Sequence, residues 1–386
     1  MRSDGHSDGA AEAALSEELT SRPGAPAAEA HVAIPRARWL ALAGAVTRIA
    51  YSLGGLFVFI LALEMLKKGA AGLKPVLDSV HADGVLNLLG FGWAGSYAVM
   101  SGSPVAAISL SLFAGGTISD VEAFAMINGT RLGASFIVLF IGFLLYVLRR
   151  RSADGLYIGV VALLTAFTLW LPVLPLGILA LESGWFDSVE VSTPGAVTSF
   201  VDVVYDPIVA QADEWLPRLA LFALGVGLLL SAFTIFDRAL PNLDQPSLRV
   251  ERIRDFLHHP LAMFVLGLAI TGITLSVSIS LTLLIPLSLK GYVRREGIIP
   301  YVMGANISTW VDTLVAALLL DSPRAFTIVF TEMVMGAAVS LTVLIFFYRP
   351  YSRAILWVAH GVSQDRRALA GFLGAIFLVP LALFLV

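Results

Sequence analysis

Two apolar stretches of this chain are interrupted by polar and glycine residues at the same places, without a gap, 175 residues apart (Ser101 to Ser276, Gly129 to Gly304). In the first, Met100-Ser101-Gly102-Ser103 precedes Gly116 and then Gly129-Thr130-Arg131-Leu132-Gly133. In the second, Leu275-Ser276-Val277-Ser278 precedes Gly291 and then Gly304-Ala305-Asn306-Ile307-Ser308. Breaks at corresponding places in the two halves of a hydrophobic chain mark transporters built from structural repeats, with the solute site where the breaks meet. The class follows from the hydrophobicity itself. Of 386 residues 58% are hydrophobic and 14% charged, too few charges to cover a water-soluble surface. Cysteine is absent, which excludes disulfides, thiolate metal sites and cysteine nucleophiles.

Residues 1–34 are polar, rich in Ala, Gly, Glu and Ser, and read as a disordered cytoplasmic tail. His6 and His31 stand too far apart for a compact metal site, and the tail lacks the pattern of a signal peptide. Apolar runs predict spans at 51–66 (continuing towards 73), 121–148, 156–180, 216–236, 306–320, 325–347 and 369–386, with a lead-in helix at 39–46. Pro172 and Pro175 are expected to kink or end the regular part of the third of these. The stretches 85–115 and 261–289 carry internal glycines and prolines, including Gly102, Pro104, Gly272 and Pro286, and suit helical hairpins broken near the tip. Such backbone is tolerated in a membrane only where protein or water covers it. Residues 181–215 form a long acidic connection without lysine or arginine.

The positive-inside rule puts the basic runs at 149–151, 238–254, 290–295 and 349–367 on one side and the 181–215 connection on the other, provided both broken hairpins re-enter without crossing. The first hairpin then enters from outside and the second from inside. The expected fold is an all-α membrane protein of two inverted-topology repeats, each with a re-entrant broken helical hairpin plus spanning helices. Its parts are the tail 1–34, a first repeat 35–155, a connecting span and extracytoplasmic loop 156–215, a second repeat 216–348, and a cytoplasmic link with a final span at 349–386. The expected location is a bacterial cytoplasmic (inner) membrane, with the N-terminus cytoplasmic.

The matched S-x-S pairs, Ser101 and Ser103 with Ser276 and Ser278, offer hydroxyls that donate to anions or accept towards cations. Broken helix ends add unpaired amides. Arg131 follows Gly129-Thr130 well inside a predicted span, where a charge faces a partner or a wet cavity. The substrate set read from the sequence is therefore Ser101, Gly102, Ser103, Thr130, Arg131, Ser276 and Ser278. Ser276, Ser278, Asn306, Ser308, Thr309 and Asp312 supply neutral oxygens and one carboxylate, a set suited to sodium and unlike a zinc site. Glu64 and Glu332 are candidate coupling or structural acids, Glu64 alternatively snorkelling beside Lys67 and Lys68. The plainer reading makes the serines packing residues bonded to their own helices and Arg131 one member of an internal salt bridge. His258-His259 is read as interfacial. No organic cofactor and no metal other than sodium is expected.

Three features resemble a known family: the Tyr51-Ser-Leu-Gly-Gly-Leu-Phe-Val-Phe segment, the paired breaks, and Gly304-Ala-Asn-Ile-Ser. Over roughly residues 51–345 the chain resembles the type II sodium/phosphate cotransporters and their bacterial relatives. The resemblance implies two inverted repeats, each with a Gln-Ser-Ser-Ser stretch in a re-entrant hairpin and a Gly-Ala-Asn-Ile-Gly stretch opening the next helix. It also implies sodium-coupled phosphate uptake. The family's glutamine falls on Met100 and Leu275, and its middle serine on Gly102 and Val277. Its asparagine falls on Arg131 in the first repeat and is retained as Asn306 in the second. The expected function is sodium-coupled symport of inorganic phosphate or a related small anion by alternating access. The alternatives are a divergent carrier for another solute and a transport-inactive scaffold or sensor. No poised nucleophile and base is visible that would make an enzyme. The expected partners are the lipid bilayer, the anion and sodium, with no nucleic acid; a homo-oligomer is left open.

Overall fold

The computed structural model describes residues 35–385 except 80–83, 148–152, 190, 192, 240–258 and parts of 275–292. The tail, the basic runs at 149–151 and 249–254, Glu190, His258, Leu275, Ser278, Pro286, Lys290 and Gly291 lie outside the described residues. Met1–Ile49 is a unit by itself, and Ala50–Val386 forms the bundle. Every regular element among the described residues is helical. The helices are α1 (Pro35–Gly69), α2 (Lys74–Ser79), α3 (Val85–Val99), α4 (Ser103–Ala114), α5 (Asp120–Ala134), α6 (Phe136–Val147), α7 (Ala153–Glu182) and α8 (Gly195–Trp215). There follow α9 (Arg218–Ala239), α10 (Pro260–Thr274), α11 (Arg295–Ser308), α12 (Trp310–Leu319), α13 (Pro323–Thr342), α14 (Tyr348–Gln364) and α15 (Arg366–Phe384). Among the described residues seven helical segments are long and apolar enough to cross a membrane: Val46–Gly72, Asp120–Leu144, Gly155–Glu182, Arg218–Arg238, Arg295–Leu319, Pro323–Gln364 and Arg366–Phe384. The chain has the character of an integral membrane protein.

The 175-residue spacing reappears in the helix bounds, since Val85–Val99 maps onto Pro260–Thr274 and the start of α5 at Asp120 onto the start of α11 at Arg295. It reappears in the packing too. A Cβ on Gly92 would collide with the Met126 carbonyl oxygen, and one on Gly267 with that of Tyr301. In the reverse direction Gly129 meets the Leu89 carbonyl and Gly304 that of Phe264. Both helix pairs, α3 with α5 and α10 with α11, are thus locked by reciprocal glycines whose missing side chains let the backbones touch. Local signals set the ends. Ser119 and Glu122 close a capping box at the start of α5, and Ser322 with Pro323 opens α13.

The first break is well defined. Met100 takes the left-handed conformation (φ 57°), and the Ser101 N–H reaches back to the Ser96 carbonyl at 3.1 Å. This turn closes α3 in the manner of a Schellman cap. Pro104, near the start of α4, then suits the first turn of the new helix. Around the second break, Ser280 N–H donates to the Ser276 carbonyl at 3.1 Å.

Four features differ from the sequence expectation. The acidic 181–215 connection contains α8, because Val201, Tyr205 and Val209 fall four residues apart and form a buried stripe beneath the acids. Residues 306–320 are the later part of a longer segment that begins at Arg295 and bends at Thr309 between α11 and α12. Neither Pro172 nor Pro175 ends α7, which continues to Glu182. The basic link after 348 is itself the amphipathic α14, burying Ser352, Ile355 and Ala359 and exposing Arg353 and Trp357.

The glycine lock predicts a selective sensitivity. Gly129→Ala and Gly304→Ala should each cost the fold about 1–3 kcal/mol through overpacking. Gly54→Ala and Gly227→Ala, where a new Cβ finds no atom within 4 Å, should not; thermal denaturation in detergent compares the four.

Candidate functional site

Arg131 lies on α5 and is 1% exposed. Gly102, at the first break, packs against it, since a Cβ there would lie 3.4 Å from Arg131 Nη2 and 3.1 Å from the Thr130 carbonyl. The first break and the buried cation therefore meet. Arg131 Nη1 donates to Thr309 Oγ1 at 2.6 Å and Nε to Thr130 Oγ1 at 3.3 Å. Its guanidinium carbon sits 4.1 Å from the centre of the Trp310 ring, a cation–π contact strengthened by exclusion of water. Both hydroxyls can accept because each donates to its own helix, Thr309 to the Asn306 carbonyl (3.0 Å) and Thr130 to that of Ile127 (2.6 Å).

Asp312 and Glu332 both act on the Arg131 charge. No ion pair among the described residues includes Arg131. Asp312 accepts from Thr313 Oγ1 at 3.0 Å and has Ser103 beside it. Glu332 Oε1 accepts from Asn128 Nδ2 at 2.8 Å, and that amide also donates to the Trp170 carbonyl at 3.1 Å. Trp170 in turn meets Trp310 edge to face, with centroids 5.7 Å apart. The polar network thus runs from Thr309 through Arg131 and the two tryptophans to Asn128 and Glu332.

The chemistry lies in what this network leaves unmet. Arg131 Nη2, both polar atoms of the Asn306 amide, Trp310 Nε1, Asp312 Oδ2, Glu332 Oε2 and Asn128 Oδ1 are buried without a hydrogen-bond partner among the described residues. Each such group costs about 1–3 kcal/mol if it stays unpaired. Donors and acceptors are both present, so an anion, a cation or water can be held. Asp312 also borders a largely apolar cavity of about 410 Å³, walled by Leu56, Phe59, Phe236 and Val315 and touched by Thr274 at the end of α10.

Of the residues singled out by sequence, Gly102, Ser103, Thr130, Arg131, Thr309, Asp312 and Glu332 come together, with Asn306 one turn before Thr309. Ser101 is half-buried at the turn itself. Ser308 bonds back to the Ala305 carbonyl at 3.4 Å, the packing role. Ser276 presents its carbonyl to Thr274 Oγ1 at 3.3 Å. Glu64 is elsewhere, lining two polar clefts with Lys67 and Asp206. Asn128, Trp170 and Trp310 escaped the sequence reading. The available signal for Asn128 was its position three residues before Arg131, on the same helix face.

The chain matches no protein-family model, no characterised protein and no solved structure.

Removing the cation from this network leaves two carboxyl groups facing an apolar interior. Arg131→Leu is expected to lower stability by about 3–5 kcal/mol. Adding Asp312→Asn to it should recover part of that loss, which a double-mutant cycle of melting curves measures.

Proposed function

We propose that the chain is a secondary active transporter that carries inorganic phosphate or a related small anion together with sodium by alternating access. The observation that carries this reading is the gathering of orphaned polar atoms from Arg131, Asn306, Asp312 and Glu332 in the interior of an apolar bundle. A scaffold has no use for unmet hydrogen bonds at its centre, whereas a carrier needs groups that its cargo completes. Arg131 Nη2, Asn306 Nδ2 and Trp310 Nε1 supply donors to the anion, and Asp312 lies within reach of a cation from the neighbouring cavity.

Alternating access requires two halves that can exchange roles, and the reading assigns them to inverted repeats with re-entrant hairpins. Several contacts support it. Arg324, at the start of α13, binds Asp120 at 2.7 Å and Asp187 at 2.5 Å, which ties the start of α5 to the segment after α7. Arg295, at the start of α11, instead covers the Tyr157 ring near the beginning of α7, at 4.7 Å. The equivalent helices α5 and α11 thus start at opposite ends of α7. Gly115, after α4, packs on the Lys67 carbonyl, and Asn87, early in α3, donates to the Phe384 carbonyl at 3.3 Å. Both ends of the first hairpin are accounted for by helix termini, while its turn lies beside Arg131. A cytoplasmic membrane of a bacterium is the location that goes with this reading.

The eroded motif leaves room for a different anion. Met100 occupies the position where the resembling family carries glutamine, and two acids border the Arg131 seat.

Liposomes holding the purified protein should accumulate labelled phosphate above the equilibrium level when an inward sodium gradient is imposed. Arg131→Ala removes a charge-assisted donor worth about 1.5–3 kcal/mol and should cut uptake by about tenfold or more. If nothing accumulates with or without the gradient, and the substitution alters neither binding nor flux, the transport reading fails.

A further inference from the structure

Glu332 stands on α13 at 0% exposure. Asn128 Nδ2 meets its Oε1, and Oε2 has no partner among the described residues. On the same amide, Asn128 Oδ1 is also unpartnered. The orientation of that amide is fixed by its second donor bond, to the Trp170 carbonyl at 3.1 Å. Turning it over would set its oxygen against two acceptors, the carboxylate and the carbonyl. The pair therefore has one bond made and two acceptors left over. An ionised carboxylate cannot repair this, because it only accepts.

The charges around Glu332 are few. Among the described residues Arg131, on α5, is the charged group that acts on it. That guanidinium is bonded to Thr309, covered by Trp310 and shared with Asp312 of α12. From α7 the contribution to the pair is the neutral Trp170 carbonyl.

We propose that Glu332 and Asn128 form a proton-binding pair in the bundle core, in which a proton on Oε2 supplies the missing donor to Asn128 Oδ1. The proton turns two orphaned acceptors into one hydrogen bond and leaves the buried carboxyl neutral. It also gives the Arg131 site a second exchangeable ligand. With no anion present, the field of Arg131 favours the ionised carboxylate. An anion beside Arg131 cancels that field, so anion and proton each raise the affinity of the other. This coupling rests on the anion-carrier reading, whereas the proton pair itself does not.

Infrared spectroscopy of the purified protein tests the pair directly. As the pH is lowered the wild type should gain the carbonyl stretch of a protonated carboxylic acid, a band that Glu332→Gln lacks and Asn128→Ala displaces. Glu332→Gln mimics the protonated form in shape and bonding, so its melting temperature should equal or exceed that of the wild type. Adding inorganic phosphate to weakly buffered protein should draw protons from solution beyond the amount drawn by Glu332→Gln. The absence of a Glu332-dependent acid band, or a band indifferent to Asn128→Ala, overturns the proton pair whatever the protein transports. The expected band without phosphate-dependent proton uptake, and without phosphate flux, upholds the pair and removes the anion coupling together with the carrier reading.

Discussion

The seat of Arg131 is the interaction on which the core of this bundle depends. A guanidinium out of contact with water costs several kcal/mol even after relaxation. Among the described residues no carboxylate binds it directly; it is held by the Thr309 hydroxyl at 2.6 Å, the Trp310 ring and the Thr130 hydroxyl. These partners come from α5 and from the bend between α11 and α12. The cation therefore joins corresponding regions of the two repeated units, and neither unit can shift far without exposing or stranding a charge. The close glycine packing of α3 on α5 and of α10 on α11 makes each unit stiff enough for that constraint to matter.

The scaffold is symmetric where its chemistry is not. Gly92 and Gly267, and Gly129 and Gly304, make the same contacts 175 residues apart. The equivalent positions 131 and 306 hold Arg and Asn. One is largely satisfied by neighbours, and the other has both amide atoms unmet. A common backbone thus presents two polar side chains of different charge to the middle of the bundle, and the acids Asp312 and Glu332 both follow the second of them in the chain.

The repeat was legible because backbone contact demands glycine, and glycine at a fixed spacing survives as a sequence pattern. The burial of Arg131 was legible for a related reason, since a cation between apolar residues has few places to go. Asn128 was not, because its role depends on Glu332, 204 residues later, and on a main-chain carbonyl of α7. Trp310 carries no local mark that separates a ring under a cation from a ring in a core. Helix α8 was hidden by its acids, which lie on the face opposite or beside a stripe of only three buried residues, Val201, Tyr205 and Val209. Thr309, named as a cation ligand, accepts a bond from the Arg131 guanidinium. The sequence shows a polar residue at a helix bend and cannot show which charge arrives there.

Charge balance links the two ligands of the carrier reading. Arg131, Asp312 and Glu332 together carry a formal charge of one negative when all three are ionised; Arg131 and Glu332 are buried, and Asp312 borders the cavity. An anion entering such a site alone would deepen the imbalance, and a low dielectric magnifies that penalty. A sodium ion at Asp312 or a proton on Glu332 restores neutrality before the anion arrives, and both together leave Arg131 free to answer it. In the carrier reading the two acids make the anion dependent on an accompanying cation. A site with Arg131 alone would bind the anion without them, and would have no means of coupling its movement to a gradient.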